Sequence, residues 1–174
     1  MQVRQSSLVG DRPLCPLDRE HRVHSHGCYC RYARADGEER VRIGRWVCVV
    51  CGGTISVLPD EMLPYRAVDT TLLMRWFDDI LAGRSPPLAT ERERGCLERS
   101  LQAFTQHIPS LTRALGQIVR TITPSAAQLW TLLRRGRNLV GILRFLAADF
   151  KTSLMRDYRC LHPWPVRGWS VGVT

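Results

Sequence analysis

RWVCVVCGGTISVLPDEMLPY, residues 45–65, holds one Cys-x-x-Cys, Cys48 and Cys51, followed at once by Gly52-Gly53. Two thiolates at this spacing supply half of a tetrahedral zinc site, and paired glycines suit the tight knuckle that presents them. Two other readings compete, a plain buried thiol pair and a redox dithiol. The redox reading expects a βαβ pattern around the motif, and the flanking sequence has none. The fold therefore turns on where the other donors lie.

A zinc ribbon sets two knuckles at the ends of a β-hairpin, so that folding brings four ligands together. One hairpin length upstream of Cys48 lies CPLD, residues 15–18, with Cys15 in the first knuckle position and Asp18 where a second Cys would stand. A carboxylate is a legitimate though less common zinc ligand. His21 and His24 are near enough to replace it, and Cys28 and Cys30 are further thiols on the same stretch. The expected set is Cys15, Cys48 and Cys51 with Asp18 or, second in order, His21, holding one structural zinc per chain.

The sequence around these residues is strand-like. Val23 to Ala33 reads as a strand, with His24, His26, Cys28, Cys30 and Tyr32 on one side if it is regularly extended. ADGEE (35–39) is a turn, Val41 to Val47 the return strand, and Thr54 to Leu58 a third, ended by Pro59. Beyond residue 66 the texture becomes helical. Asp69 or Thr70 caps a stripe of Leu72, Leu73, Trp76, Phe77, Ile80 and Leu81. Thr90 and Glu93 form a capping box for a helix that Pro109 is expected to limit. Residues 110–122 repeat the pattern, and Thr123-Pro124 reads as the cap and first position of another helix. A last helix carries Leu139, Leu143, Leu146, Phe150, Leu154 and Tyr158. The expected organisation is an α+β chain: a zinc-ribbon-like β-hairpin module over 13–66, an all-α domain of four to five helices over 67–162, and an irregular tail over 163–174.

Charge is unevenly distributed along this frame. The chain carries a formal +9, and residues 101–174 hold nine Arg and Lys151 against only Asp149 and Asp157, so +8 of it lies there. Such a field attracts phosphate backbones. The segment 110–137 reads as helix, turn and capped helix followed by arginines, an arrangement that a helix-turn-helix reader uses. On that reading Arg113, Arg120, Arg134, Arg135 and Arg137 meet phosphates, and Ser125 and Gln128 are candidates for base edges. The alternative is a helical bundle whose arginines solvate its outer face.

The order of residues over 13–66 resembles the zinc-ribbon-like N-terminal domain of bacterial transposases and related mobile-element proteins. It is carried by Cys15-Pro16, His26-Gly27, Tyr29, Arg31, Arg45, Cys48, Cys51-Gly52, Thr54, Ser56, Leu58-Pro59 and Pro64-Tyr65. Asp18 in place of the usual second Cys is the departure. The resemblance implies DNA recognition at mobile-element ends, with a transposase or another protein as a possible partner.

Catalytic patterns are missing. The acids after residue 66 are few and helical in pattern, without the strand framework a two-metal carboxylate site needs, and there is no phosphate loop and no His-Glu-x-x-His. No apolar run reaches the roughly 18 to 20 residues that span a bilayer, and the N-terminus lacks a signal-type apolar region. The sequence thus predicts a cytoplasmic, non-enzymatic DNA-binding protein, nucleoid-associated when bound. The competing class is an assembly subunit that docks a partner through its ribbon and the aromatic residues Trp76, Phe77 and Trp130.

Overall fold

A computed structural model of the chain describes residues 3–5, 12–15, 17–34, 37, 39–63, 66–119, 123–150 and 152–155. It is an α+β structure in which strands precede helices. Two compact units divide it: the described residues of Met1–Tyr32 and Gly37–Pro59 form one, and those of Ala33–Asp36 and Asp60–His162 the other.

The first unit is a small sheet built on a hairpin. Strand β2 (Val23–Tyr32) runs antiparallel to β3 (Arg40–Cys48), and β4 (Thr54–Val57) pairs antiparallel with the second half of β3. A short strand β1 (Val3–Gln5), which no alternation in the sequence announces, lies parallel to the start of β3. The side chains expected on one face of β2 do not share it. Ser25 pairs with Trp46 but Cys28 pairs with Gly44, so β2 carries one extra residue between them, at Gly27 with φ +94°. Paired residues point to one face, and a bulge shifts that parity. Ser25, Cys28, Cys30 and Tyr32 therefore share the face of Arg40, Arg42, Gly44 and Trp46, whereas His24 lies on the other, opposite Val47. The unit's core is slight: Cys15, Val23, Cys48 and Ile55 are buried together with Trp46 packed against them, and Val41 and Ile43 of β3 are buried as well.

The second unit contains α1 (Thr70–Ile80), α2 (Glu91–Leu115), α3 (Ala126–Arg134) and α4 (Leu139–Phe150). Asp69 caps α1 through its carboxylate and Leu72 N–H, and Thr90 with Glu93 closes the expected box on α2. Pro109 does not end that helix. Leu97, Phe104 and Leu111 recur at seven-residue spacing with Leu115 beyond, all buried, so the apolar stripe runs through Pro109 without a change of phase. Thr105, whose carbonyl loses its partner, and Pro109 are on the exposed side, where water can serve that carbonyl. The next cap is Ser125 rather than Thr123: its hydroxyl accepts from Gln128 N–H while the Gln128 side chain accepts from Ser125 N–H. Asn138 Oδ1 accepts from Gly141 N–H at the start of α4, which ends at Phe150. Residues 152–155 do not continue it, although Leu154 and Met155 are buried in the same core. Tyr158 and the tail 163–174 lie outside the described residues.

Trp76, Phe77 and Trp130, the aromatic stripe considered for docking a partner, are buried in this core. They hold helices together and present no outward surface. Among the described residues, no helix is long and apolar enough to cross a membrane.

Candidate metal centre

Cys15, His21, Cys48 and Cys51 come together, with their donor atoms all within 4.8 Å of one another, and could hold a metal ion. Cys15 Sγ lies 3.6 Å from Cys51 Sγ and 3.4 Å from His21 Nδ1. A tetrahedral zinc with Zn–S of about 2.3 Å and Zn–N of about 2.0–2.1 Å sets its donors roughly 3.5–3.8 Å apart. The separations of Cys15 from Cys51 and from His21 match that spacing. Cys15 and Cys48 are buried, His21 is half-buried and Cys51 is exposed.

Local backbone geometry explains the arrangement. Cys48 ends β3, and its carbonyl accepts from Gly52 N–H at 2.9 Å while its own N–H donates to Gly53 O, also at 2.9 Å. Gly52 takes φ +70°, a value an L side chain adopts only with strain. The turn aims the N–H groups of Val50 and Cys51 at the Cys48 sulfur. Burial works to raise the Cys48 thiol, but these N–H groups, with the Cys51 and Cys15 side chains, outweigh it and bring the thiol down to about 6. At Cys51, Gly53 N–H favours the thiolate, yet Cys48, burial and Cys15 together push it above its ordinary value. Three sulfurs this close compete for one negative charge, and a bound cation relieves that competition.

The loop that carries Cys15 is tied to the same knuckle. Val49 N–H donates to Arg22 O at 3.0 Å, which fixes the chain just after His21. Asp18 is not the fourth donor. Its Oδ1 accepts from Glu20 N–H at 2.9 Å, an Asx turn that curls the chain and brings His21 inward. Its Oδ2 lies 3.8 Å from His21 Nε2, while His21 Nδ1 faces Cys15. The order expected from sequence is therefore reversed: His21 joins the thiols and Asp18 stands behind it, where a carboxylate fixes imidazole tautomer and orientation. Asp18→Asn is expected to keep metal binding but weaken it about 10- to 100-fold, measurable by competition with a chromophoric chelator. His24 is exposed on β2 and lies outside the cluster, as do Cys28 and Cys30.

The arginines proposed for phosphate contact divide. Arg113 and Arg135 are exposed. Arg134 is committed within its unit: Nε and Nη2 donate to Asp78 at 2.9 and 3.0 Å, and Nη1 donates to the Arg137 carbonyl. Burial opposes charge on Asp78, but hydrogen bonds from Arg134 and Trp130 outweigh it and hold the carboxyl below its usual range. Arg137 stacks its guanidinium 4.1 Å over the Phe145 ring. Arg120 lies outside the described residues. Ser125 Oγ and Gln128 Oε1 accept from each other's backbone N–H in the capping box, and both side chains are exposed. The expected helix-turn-helix also loses its separate first helix, because residues 110–115 are the last turns of α2.

No family model, curated protein or solved structure matches the chain.

Proposed function

We propose that this is a non-enzymatic DNA-binding protein whose N-terminal unit is held by a single structural zinc. The observation that carries the reading is the completeness of the donor set. Three thiols and one imidazole are the number and kind of donors that a structural tetrahedral site takes from the protein alone, which supports a closed site without bound water or substrate. A thiolate-rich tetrahedral set favours zinc over the harder divalent ions. A closed site supports a structural role for the metal.

The basic balance supports nucleic acid as the partner, with a formal +9 over the chain. Exposed Arg113 and Arg135 are the side chains we assign to phosphates in the helical unit, and Arg134 and Arg137 serve the fold instead. The motif order over 13–66 resembles transposase N-terminal domains, which supports duplex DNA of mobile-element type as the target class.

The test is affinity for a labelled duplex, measured by anisotropy from about 50 to 200 mM salt, on protein whose zinc content has been assayed. Each neutralised phosphate contributes about −0.9 to the slope of log K against log salt. We expect a slope steeper than about −2, made shallower by roughly one to two on replacing both Arg113 and Arg135 by Ala. A flat salt response, or an oligomer that takes up zinc and binds no nucleic acid, overturns the reading in favour of an assembly subunit.

A further inference from the structure

The face of the sheet that β2 and β3 share carries a second sulfur pair, apart from the metal centre. Cys28 and Cys30 are both exposed, two residues apart on the same side of β2. They reach this side only because the bulge at Gly27 shifts the parity of the strand. Gly44 stands opposite Cys28 and offers no side chain to cover it, and Arg42 stands opposite Cys30. Arg40, one pair further along, stacks 4.9 Å over Tyr32. Arg42 instead reaches diagonally, and its Nε donates to Cys28 Sγ at 3.0 Å. The contact places a charged guanidinium donor directly against the Cys28 sulfur.

We propose that Cys28 and Cys30 form a redox-responsive dithiol on the surface of the protein, with Cys28 attacking small disulfides and Cys30 resolving the product. In the first step the Cys28 thiolate bonds to one sulfur of the small disulfide, whose S–S bond breaks. One small thiolate leaves and takes a proton. In the second step the Cys30 sulfur attacks Cys28 Sγ, closes a Cys28–Cys30 disulfide and expels the other small thiolate. The two cysteines lose two electrons, the reagent gains them, and the two thiol protons end on the two released small thiols. Residues i and i+2 of a strand lie about 6.6–6.8 Å apart at Cα. Their Cβ atoms, parallel on one face, are comparably far apart and beyond the roughly 3.5–4.5 Å that a disulfide spans. Closure therefore requires the strand to bend locally, and the product is strained and readily reduced, as a reversible switch requires. The other described thiols do not compete in the metal-loaded protein: Cys15, Cys48 and Cys51 belong to the metal cluster, and Cys96 is buried.

The test treats full-length, zinc-assayed protein carrying Cys160→Ser, which removes the one thiol outside the described residues. The reagent is the neutral 4,4′-dithiodipyridine, so that Arg42 cannot act merely by attracting an anion. Thiopyridone release, zinc release and peptide mass maps are followed together. We expect two thiopyridones per chain, a Cys28–Cys30 link and retained metal. Cys30→Ser should stop at one thiopyridone with the reagent still on Cys28, and Cys28→Ser should slow the first release at least several-fold. Arg42→Ala should slow that first step several-fold, and Arg42→Lys should restore much of it. A stable mixed disulfide with Cys28 and Cys30 both present, equal reaction at Cys28 and Cys30, or indifference to Arg42→Ala overturns the proposal. First reaction at Cys48 or Cys51 with loss of zinc also overturns it, and the peptide maps separate that failure from one at the metal centre.

Discussion

Replacing Cys48 by Ser is expected to abolish metal retention and, with it, the folded state of the N-terminal unit. The reason is the size of that unit's core. Cys15, Val23, Val41, Ile43, Cys48 and Ile55 are its buried apolar residues among those described, with Trp46 packed against the cluster around Cys15. A fully buried Val or Ile contributes about 1.5–3 kcal/mol, whereas ordering each backbone residue costs about 1–2 kcal/mol. Sheet hydrogen bonds and six apolar residues do not close that gap over a module of this length. Zinc in small metal-dependent domains supplies apparent free energies of about 10–16 kcal/mol at neutral pH, enough to decide between folded and unfolded. Two of the four donors, Cys15 and Cys48, are also core residues, so the metal and the core are one structure. Elemental analysis should find about one zinc per chain in the unaltered protein and close to none in Cys48→Ser, with loss of dispersed amide signals from β2 and β3. Chelation of the unaltered protein should reproduce this, and Cys28→Ser, outside the cluster, should not. A Cys48→Ser protein that melts as the unaltered one does would show that the sheet stands without metal.

How far this was legible in the sequence depends on the range of each signal. The three longer strands were legible from alternation, and the caps at Asp69 and Thr90 from side chains one turn away. The expected turn over 35–39 falls largely outside the described residues. Cys15 was found by hairpin arithmetic alone. The exchange of Asp18 for His21 was not, since it depends on an Asx turn that spends the carboxylate on Glu20 N–H. Two errors had readable remedies. Ser125 has Gln128 three residues on, and Thr123 has Ala126 at that place, so the capping-box rule favours Ser125. The stripe of Leu97, Phe104 and Leu111 keeps its phase across Pro109, and tertiary burial outweighs the local cost of proline. The bulge at Gly27 and the Asp78–Arg134 pair, 56 residues apart in sequence, arise from contacts that no local pattern encodes.

Phe104→Ala is the substitution expected to cost the helical unit most, about 3–5 kcal/mol. Phe104 is fully buried on α2 and meets two other rings: Phe77 of α1 at 5.5 Å and Trp130 of α3 at 6.1 Å between centroids. Phe77 and Trp130 are themselves 5.1 Å apart and edge-on. Three helices therefore meet at one aromatic triangle, and removing a corner leaves a cavity that rings fixed on separate helices cannot collapse to fill. Trp130 is further anchored by its indole N–H, which donates to Asp78 Oδ1 at 2.8 Å. Moving the ring into the void would break that bond, so relaxation is blocked. Domains are stable by about 5–15 kcal/mol, and a loss of this size removes a large share. The check is urea unfolding followed by far-UV circular dichroism: the midpoint should fall with little change in slope. Zinc content should stay near one per chain, because the aromatic core shares no residue with the metal-bearing one. A loss below about 1 kcal/mol, outside the range for a buried Phe, would deny the triangle its central role. Loss of zinc together with stability would show that the two cores fold as one.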